Sequence, residues 1–465
     1  MSINNYFTSQ HKETKSTELK VIGNIPHSIQ GKFIRNGPAK YTIGSKEVMH
    51  WFDGYGMLHG FDIKNGVVTY HSKFIQSSEY ISAETKHKNK FITWGTPVDP
   101  CESVFSKFKS IFLSPSNTCV NIVNICDRFY TTSDISGANE VNITSLETVA
   151  FKEGITGTMA AHPGFASDGS VWNMSSSFGP VCENNIVTIN SDFVSQKHHS
   201  FNTKKLYYAH SFAISDRYFV SIEQPMYLSF FKLMSSGPTG KSYYKCFDWD
   251  KKCTNVLHIY DRVECKMIHI ATEESFFYFH IINSFEKDGK LIIDLCAYPD
   301  NSIIDDLYIQ NMKGKGIGRN NHAKMARIEA DIETQSTSVS RTNHIIELPN
   351  INPQYTGKQN RYTYGLSADP ESRRLGDSLI KIDMLDDSKT IWCDDGVIPS
   401  EPFFISSSEG VEDDGYILSI CFEEKTGNSF LIVLSAGNMT EIARAYTPSH
   451  IPSSLHGCFF PSNIE

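Results

Sequence analysis

The stretch FFYFHIINSFE, residues 276–286, has the composition of a buried β-strand, because aromatic and β-branched side chains fill most of its positions. One residue breaks the pattern: His280 stands among neighbours that are otherwise Phe, Tyr and Ile. Regular alternation along a strand would place Tyr278, His280 and Ile282 on one face of the sheet. An imidazole in such a position is either a hydrogen-bonded core residue or a ligand, and this strand by itself does not decide between the two.

Short strands of this kind recur along the whole chain and alternate with tight turns. Asn-Gly and Asp-Gly pairs, such as Asn65-Gly66 and Asp288-Gly289, predict hairpins between them. Many antiparallel strands spread evenly over 465 residues predict an all-β propeller or a large barrel. No Pro/Ser-rich linker divides the chain, so we expect one domain over residues 1–465. The clearest strand-like runs are Gly66–Ile75, Arg217–Pro225, Lys290–Pro299, Tyr416–Glu424 and Ser429–Ala436.

The charge balance and the pattern of cysteines limit the cellular compartments and the kinds of partner that we expect. The chain carries 52 acidic and 43 basic side chains, a balance that argues against a nucleic-acid partner. Residues 1–18 lack the apolar core of a secretory signal, and no run approaches the roughly 18 apolar residues of a spanning helix. The eleven cysteines include no Cys-x-x-Cys pair, which favours a reducing compartment. These features predict a cytoplasmic protein.

The segment Val98–Pro115 is the one stretch that predicts an amphipathic helix. Phe105, Phe108 and Phe112 recur at helical spacing with lysines between them, and Cys101 stands near the start. One interpretation is a surface helix that covers the core. The other is a membrane-docking segment, in which the aromatic side chains enter the lipid interface and Cys101 is an acylation site.

Four histidines lie in apolar, aromatic or turn-forming surroundings. They are far apart in the sequence, so no local motif joins them, and no His-Glu-x-x-His segment is present. Taken singly, each is a core histidine or a ligand. On separate strands of a propeller, however, all of them would point towards the central axis, where burial favours the neutral imidazole that binds a metal. The four are His162, His210, His280 and His456.

At these residues the chain resembles the carotenoid cleavage oxygenase family. It is most similar to the animal branch, which holds the β-carotene oxygenases, the insect isomerising oxygenases and the retinoid isomerase of the retinal pigment epithelium. The similarity runs nearly end to end, and so many motifs in one order are specific. The segments that carry it are GKFIRNGPAKY (31–41), HWFDGYGMLHGFDI (50–63), VDPCESVFSKF (98–108), AHPGFASDGSVWN (161–173), YAHSFAIS (208–215), FHIINSFE (279–286), ELPNINPQYTGKQNRYTYGL (347–366), SEPFFISSS (400–408) and IPSSLHGCF (451–459).

The resemblance implies a seven-bladed β-propeller with a cap of helices and loops over one end. On its axis, His162, His210, His280 and His456 would hold Fe(II), with O₂ as cosubstrate. The iron centre itself would be the catalytic group, without a separate acid or base.

The resemblance also implies three carboxylates that hydrogen-bond the outer ring nitrogens of three of these histidines. Glu347 and Glu401 stand at two of the positions, and Asp134 stands at the third, where the family has Glu. Because the Asp side chain is one methylene shorter, we expect its hydrogen bond to be longer or water-mediated. His59 lies inside a family signature but matches no iron position, and Val98 stands where animal members usually have Pro.

Three functions follow from this resemblance. The first is an Fe(II)-dependent dioxygenase that cleaves a conjugated C=C bond of a carotenoid or apocarotenoid to aldehydes, of the retinal-forming type, with or without coupled trans–cis isomerisation. The second is a non-oxidative retinoid isomerase or isomerohydrolase with iron as a Lewis acid, and the third is a non-catalytic binding propeller, which the presence of all four histidines disfavours. A lipid-dissolved substrate implies peripheral membrane association through residues 98–115. No oligomeric state is predicted.

Overall fold

Seven antiparallel sheets form the blades of a β-propeller in the computed structural model of the chain. The structure describes residues 3–87, 91, 93–98, 102–103, 107, 115–179, 181–407 and 410–462. Each blade has four to six strands, and the blades follow one another along the chain. This confirms the predicted all-β fold and the seven-bladed propeller, whereas the assignment of residues 1–465 to a single domain stays a prediction.

The strands are numbered in chain order, and the first four blades are built from the N-terminal half of the chain plus one C-terminal strand. Blade 1 contains β1 (Thr17–Glu18), β3 (Gly31–Lys40), β6 (Tyr55–Lys64), β7 (Val67–Phe74) and β36 (Gly457–Pro461). Blade 2 contains β8 (Asn121–Ile125), β9 (Arg128–Thr132), β10 (Gly137–Val141) and β11 (Thr148–Glu153). Blade 3 contains β12 (Thr158–Met159), β13 (Gly164–Phe165), β14 (Val171–Ser177), β15 (Cys182–Ile189) and β16 (Ser195–Thr203). Blade 4 contains β17 (Ala213–Ile214), β18 (Tyr218–Glu223), β21 (Val256–Asp261) and β22 (Lys266–Ala271).

The remaining three blades come from the C-terminal half, with one strand added from the N-terminus. Blade 5 contains β23 (Phe277–Lys287), β24 (Lys290–Tyr298), β25 (Lys324–Asp331) and β26 (Ser336–Ile345). Blade 6 contains β27 (Glu347–Asn350), β28 (Tyr362–Ser367), β29 (Ser378–Asp383) and β30 (Ser388–Trp392). Blade 7 contains β2 (Lys20–Gly23), β31 (Val397–Pro399), β32 (Phe403–Ser406), β33 (Gly415–Glu423), β34 (Asn428–Ser435) and β35 (Glu441–Tyr446).

The connections between strands carry the helices and two small sheets. Leu233 and Leu307, which lie in two of these connections, line the large internal cavity, so the connections form the predicted cap. No helix among the described residues is long and apolar enough to cross a membrane. The α-helices are Ser78–Lys86, Phe230–Thr239, Ile303–Asp306 and Ile309–Lys313; the 3₁₀ turns are Ile3–Phe7, Trp51–Asp53, Tyr244–Cys246 and Pro353–Tyr355; and the small sheets pair β4 (Thr42–Ile43) with β5 (Lys46–Glu47) and β19 (Met226–Leu228) with β20 (Phe247–Trp249).

The strand-like runs and hairpins predicted from the sequence are present. Asn65 and Gly66 form the two-residue loop between β6 and β7, with φ of 52° and 80°. Asp288 and Gly289 join β23 to β24 in the same way, with φ of 52° and 78°. Positive φ at both central residues defines the type I′ turn, whose twist matches that of paired strands. This requirement explains the Asn-Gly and Asp-Gly sequences.

Strands from the two ends of the chain close the ring. β2 pairs with β35 in blade 7, and β36 pairs with β3 in blade 1. Phe33 of β3 is fully buried at this junction, where its ring packs 6.3 Å from that of Phe61 in blade 1 and 5.9 Å from that of Phe403 in blade 7. The closure therefore combines backbone hydrogen bonds with aromatic packing between blades.

One strand in each blade lies nearest the propeller axis. Successive blades contact each other through β36 and β8, β13 and β17, β17 and β23, β23 and β27, and β32 and β36. These strands are the inner ones, because His210, His280 and His456 stand in or just before three of them and their ring nitrogens meet at one point. Side chains at or beside them can meet at the centre although they come from distant parts of the sequence.

The innermost strand of blade 5 departs from regular alternation. The register of β23 against β24 shifts between Tyr278 and Ile281. Tyr278 packs in one hydrophobic cluster and Ile282 in another, so the expectation that they share a face is wrong. A β-bulge inserts an extra residue and changes the direction of nearby side chains. Here the first irregularity lies in the interval between Tyr278 and Ile281, which contains His280, and a second follows between Ile281 and Asn283.

The contact at the ring closure predicts a large stability effect. We expect Phe33→Ala to lower the free energy of unfolding by about 3–5 kcal/mol, because the lost ring leaves a cavity between blades 1 and 7. Phe231→Ala is the matched control, since that ring is 82 % exposed. Urea denaturation measures both variants, and equal stabilities would contradict the role of Phe33.

Candidate metal centre

The four histidines singled out in the sequence meet at the propeller axis. One ring nitrogen from each lies within 4.8 Å of the others. Nε2 of His162 is 3.2 Å from Nε2 of His210, and Nε2 of His280 is 3.1 Å from Nε2 of His456. Within the described ranges, this is the only group of three or more His, Cys, Asp or Glu side chains arranged to hold a metal ion. Four imidazole nitrogens directed at one point fit a divalent transition metal.

Each histidine lies in an inner strand or in the residues just before or after one. His162 lies between β12 and β13, and His210 lies three residues before β17. His280 belongs to β23, where the bulge directs it into the cavity instead of leaving it packed between sheets. His456 immediately precedes β36, the strand that closes the ring. The propeller topology thus brings together four residues that no sequence spacing connects.

Two glutamates fix two of the rings. Nδ1 of His280 donates a hydrogen bond to Oε2 of Glu347 over 2.6 Å, and Nδ1 of His456 donates to Oε1 of Glu401 over 2.6 Å. Glu347 opens β27 of blade 6, and Glu401 follows β31 of blade 7. A proton held on Nδ1 by a carboxylate leaves the lone pair of Nε2 directed at the centre.

Asp134 contacts the third ring directly. Its Oδ2 lies 2.9 Å from Nδ1 of His210, which is longer than the 2.6 Å contacts of Glu347 and Glu401, as expected for the shorter side chain; the contact is direct and not water-mediated. The Asp134 carboxylate also accepts hydrogen bonds from the backbone N–H of Ala161 over 3.0 Å and from the Tyr208 hydroxyl over 3.0 Å. These two donors, from the segments that carry His162 and His210, hold the shorter side chain close to the imidazole.

The fourth ring has an amide neighbour. Nδ2 of Asn121 lies 3.3 Å from Nδ1 of His162. Asn121 opens β8, the innermost strand of blade 2, and no sequence pattern predicted its role. The inner strands of the seven blades therefore bring one polar side chain each to the centre, and these are His456, Asn121, His162, His210, His280, Glu347 and Glu401.

Burial favours the neutral form of two of the imidazoles. It holds the pKa of His162 and His456 well below the usual value, and the neighbouring imidazoles lower both further. Neutral imidazole is the form that binds a metal, so burial prepares His162 and His456 for that role.

A buried arginine supports Glu401 from outside the histidine group. The Arg35 guanidinium pairs with Glu401 and also donates to the backbone carbonyl of Leu455, the residue before His456. Burial lowers the pKa of Arg35 and raises that of Glu401, while the ion pair opposes both shifts. Sequence reasoning assigned no role to Arg35. A charged residue inside the apolar strand GKFIRNGPAKY was the available signal.

Other residues singled out in the sequence lie elsewhere. His59 is buried outside the histidine group, where its Nδ1 lies 2.8 Å from the Tyr70 hydroxyl. The predicted membrane-docking residues lie outside the described part of the chain. They are Cys101, Phe105, Phe108 and Phe112.

A cavity of about 540 Å³ opens beside the four histidines. His210, His280 and His456 form part of its wall, and no Lys or Arg is among the described residues that line it. Apolar and aromatic side chains dominate the remainder, which suits an elongated apolar molecule and excludes water from the centre. The principal aromatic lining residues are Phe52, Trp94, Tyr208, Tyr243, Phe247 and Phe279.

The buried ion pair predicts a stability effect that does not depend on a metal. We expect Arg35→Met to lower the free energy of unfolding of the metal-free protein by about 3–5 kcal/mol, because it leaves the Glu401 carboxylate buried without its cation. Urea denaturation measures the loss. The double variant Arg35→Met/Glu401→Gln removes both charges and should recover part of the stability; a double variant no more stable than the single one would contradict this explanation.

Comparison with solved structures supports the fold. A cobalt-substituted apocarotenoid oxygenase from Synechocystis superposes with a TM-score of 0.88 at 21% identity, covering 98% of each chain. At this identity the match shows the propeller architecture and nothing more specific.

Sequence comparison identifies the family. A protein named "Carotenoid-cleaving dioxygenase, mitochondrial" from Macaca fascicularis is 30% identical over 98% of this chain and 94% of its own length. The "Beta,beta-carotene 15,15'-dioxygenase" of Mus musculus is 28% identical over 97% and 90%, and the "Carotenoid isomerooxygenase" of Galleria mellonella is 28% identical over 98% and 96%. The family profile described as "Retinal pigment epithelial membrane protein" matches residues 7–461. The chain therefore belongs to this family, the carotenoid cleavage oxygenases, as its sequence motifs predicted.

Proposed function

We propose that the protein is an Fe(II)-dependent dioxygenase that cleaves a conjugated C=C bond of a carotenoid or apocarotenoid. The observation that carries this proposal is the convergence of four imidazoles, three of which line an aromatic cavity. The family and the names of the relatives bear out the predicted class of enzyme. In the overall reaction, the two carbons of the C=C bond each receive one atom of O₂, and two aldehydes form without another reductant.

The donor set supports iron as the metal. Four neutral imidazoles leave the full charge of a divalent ion in place and occupy only four positions of an octahedron. Bound Fe(II) would supply the redox centre at which O₂ reacts with the polyene. The carboxylates of Glu347, Glu401 and Asp134 orient three rings and offset part of the charge, and a partner of this kind is typically worth 10- to 100-fold in metal affinity or activity.

The cavity wall supports a polyene substrate. The ring centroids of Trp94 and Tyr208 lie 5.1 Å apart, and Phe279 packs 5.6 Å from the ring of His210; all four residues line the cavity. These aromatic side chains would hold a flat conjugated chain against the metal centre and keep water away from it. We propose the retinal-forming type of cleavage.

Coupled trans–cis isomerisation is the second candidate. It is favoured by the similarity to the Galleria mellonella protein named as a carotenoid isomerooxygenase. A non-oxidative isomerohydrolase would use the same site, but its product would form without O₂.

An exposed aromatic surface at the cavity supports docking to a membrane. Phe230 and Phe231, at the start of the helix Phe230–Thr239, are 56 % and 82 % exposed. The Phe230 ring stacks 5.2 Å from that of Phe178, which also lines the cavity. The predicted docking segment begins beside the end of this helix, because the backbone N–H of Val98 donates to the carbonyl of Gly240 over 2.9 Å. We propose that this surface and residues 98–115 bind a membrane from which the substrate enters.

We also propose a cytoplasmic location with peripheral membrane association. The Macaca fascicularis relative carries the word mitochondrial in its name. The location can be measured by cell fractionation, in which the protein is assayed in the cytosolic, membrane and mitochondrial fractions.

Activity and metal content should depend on the same residues. Purified protein loaded with Fe(II) and given a carotenoid in detergent should yield aldehydes only when O₂ is present, as chromatography measures. We expect His280→Ala to lose both iron and cleavage, and Glu347→Gln to lose about 10- to 100-fold in activity. His198→Ala is the control, because His198 is exposed and does not line the cavity.

Two outcomes would contradict these assignments. Product formation without O₂ from a retinyl ester would replace the dioxygenase with an isomerohydrolase. A His280→Ala protein with full iron content and full activity would overturn the metal site.

Membrane binding should depend on the exposed aromatic residues. We expect the double variant Phe230→Ser/Phe231→Ser to bind phospholipid vesicles more weakly in flotation assays, since it loses apolar surface that would otherwise enter the interface. Substitution of Phe105, Phe108 and Phe112 by Ser should have the same effect. Phe165→Ser, at a residue that is 44 % exposed and does not line the cavity, is the control. If the double variant and the triple variant both bound vesicles as strongly as the wild-type protein, these residues would have no role in membrane binding.

A further inference from the structure

A second, smaller cavity of about 30 Å³ lies behind the wall of the large one. The two cavities share Trp51, Leu348 and Leu375 as lining residues, so these three side chains separate them. On its far side the small cavity reaches Arg373, which is exposed. It therefore extends from the protein surface towards the metal centre without passing through the mouth of the large cavity.

The lining of the small cavity is mainly apolar. Phe7, Met312, Ile317 and Ile398 contribute to it, and all four are buried. Ser400, Ser453 and Ser454 also contribute to the lining, and a volume of about 30 Å³ admits one or two small molecules. The cavity is much too small for a carotenoid.

The separating wall lies directly beside the metal centre. Leu348 follows Glu347, whose carboxylate holds the ring of His280. Leu348 has a φ of 47°, in the left-handed region that a residue with a bulky side chain rarely adopts. Its backbone N–H donates to Oε2 of Glu347 over 2.5 Å, which ties the unusual conformation to the carboxylate that orients the ligand. A strained backbone conformation persists only where the surrounding structure enforces it. At Leu348 this conformation places the side chain at the boundary between the two cavities.

The geometry points to the small cavity as the entry route for dioxygen, an inference that rests on the proposed dioxygenase function. A carotenoid that fills the large cavity would also block its mouth. The second reactant is a small apolar diatomic molecule, and it would need another path to the metal. The small cavity has the size, the apolar lining and the position that such a path requires, and Trp51, Leu348 and Leu375 would be its inner gate.

Xenon tests this route without reference to activity, because it binds in apolar cavities of proteins. Crystals of the wild-type protein pressurised with xenon should show an atom between Met312, Ile317 and Leu348. An empty small cavity under xenon pressure would overturn the inference. This measurement needs no substituted protein.

Kinetics test the same route in the iron-loaded enzyme. Met312 lines only the small cavity, and the larger ring of Met312→Trp should fill it. We expect kcat/KM for dioxygen to fall several-fold, while KM for the carotenoid and the iron content stay unchanged. Met49→Trp is the matched control, since Met49 is 50 % exposed and lines neither cavity.

The outcomes separate this inference from the proposed function. A folded Met312→Trp protein with unchanged kcat/KM for dioxygen would show that oxygen enters with the carotenoid through the large cavity. If wild-type protein cleaved no carotenoid and consumed no oxygen, the proposed function would fail and the dioxygen route would fail with it.

Discussion

The candidate metal centre depends on hydrogen bonds made at the outer nitrogens of the imidazoles. An imidazole directs one lone pair at a metal only when its other nitrogen keeps the proton, and a carboxylate acceptor enforces that state. Glu347, Glu401 and Asp134 each accept from a different histidine, and the three acidic residues come from three different segments. The electronic state of the centre is therefore a property of the assembled ring and not of any one strand.

The same hydrogen bonds connect the centre to the closure of the propeller. His456 stands immediately before β36, the strand that completes blade 1, and its partner Glu401 is held by Arg35 of the adjacent strand β3. If β36 separated from β3, His456 would be displaced from Glu401. Arg35, which pairs with Glu401, would also lose its hydrogen bond to the carbonyl of Leu455. A metal held by all four rings would thus stabilise the closed ring, because it binds the folded chain and not the open one.

Local patterns predicted a large part of this structure. The type I′ hairpins followed from Asn-Gly and Asp-Gly pairs, since these residues tolerate positive φ. Other features were beyond local patterns: the bulge near His280 depends on the register between β23 and β24, and the direct contact of Asp134 depends on donors from Ala161 and Tyr208. Arg35 and Asn121 were missed because their partners are remote in sequence.

The sequence by itself determined that the chain is a β-protein rich in short hairpins, and its motifs identified the family and four histidines in apolar surroundings. Strand propensity and turn chemistry act over a few residues, so they can be read directly from the amino acids. Only the tertiary structure decided which carboxylate meets which histidine, and only it placed a second cavity behind Leu348. Such pairs form because the seven inner strands lie around one axis. Residues that are far apart in the sequence become neighbours there, so the spacing between them in the sequence cannot predict the contact.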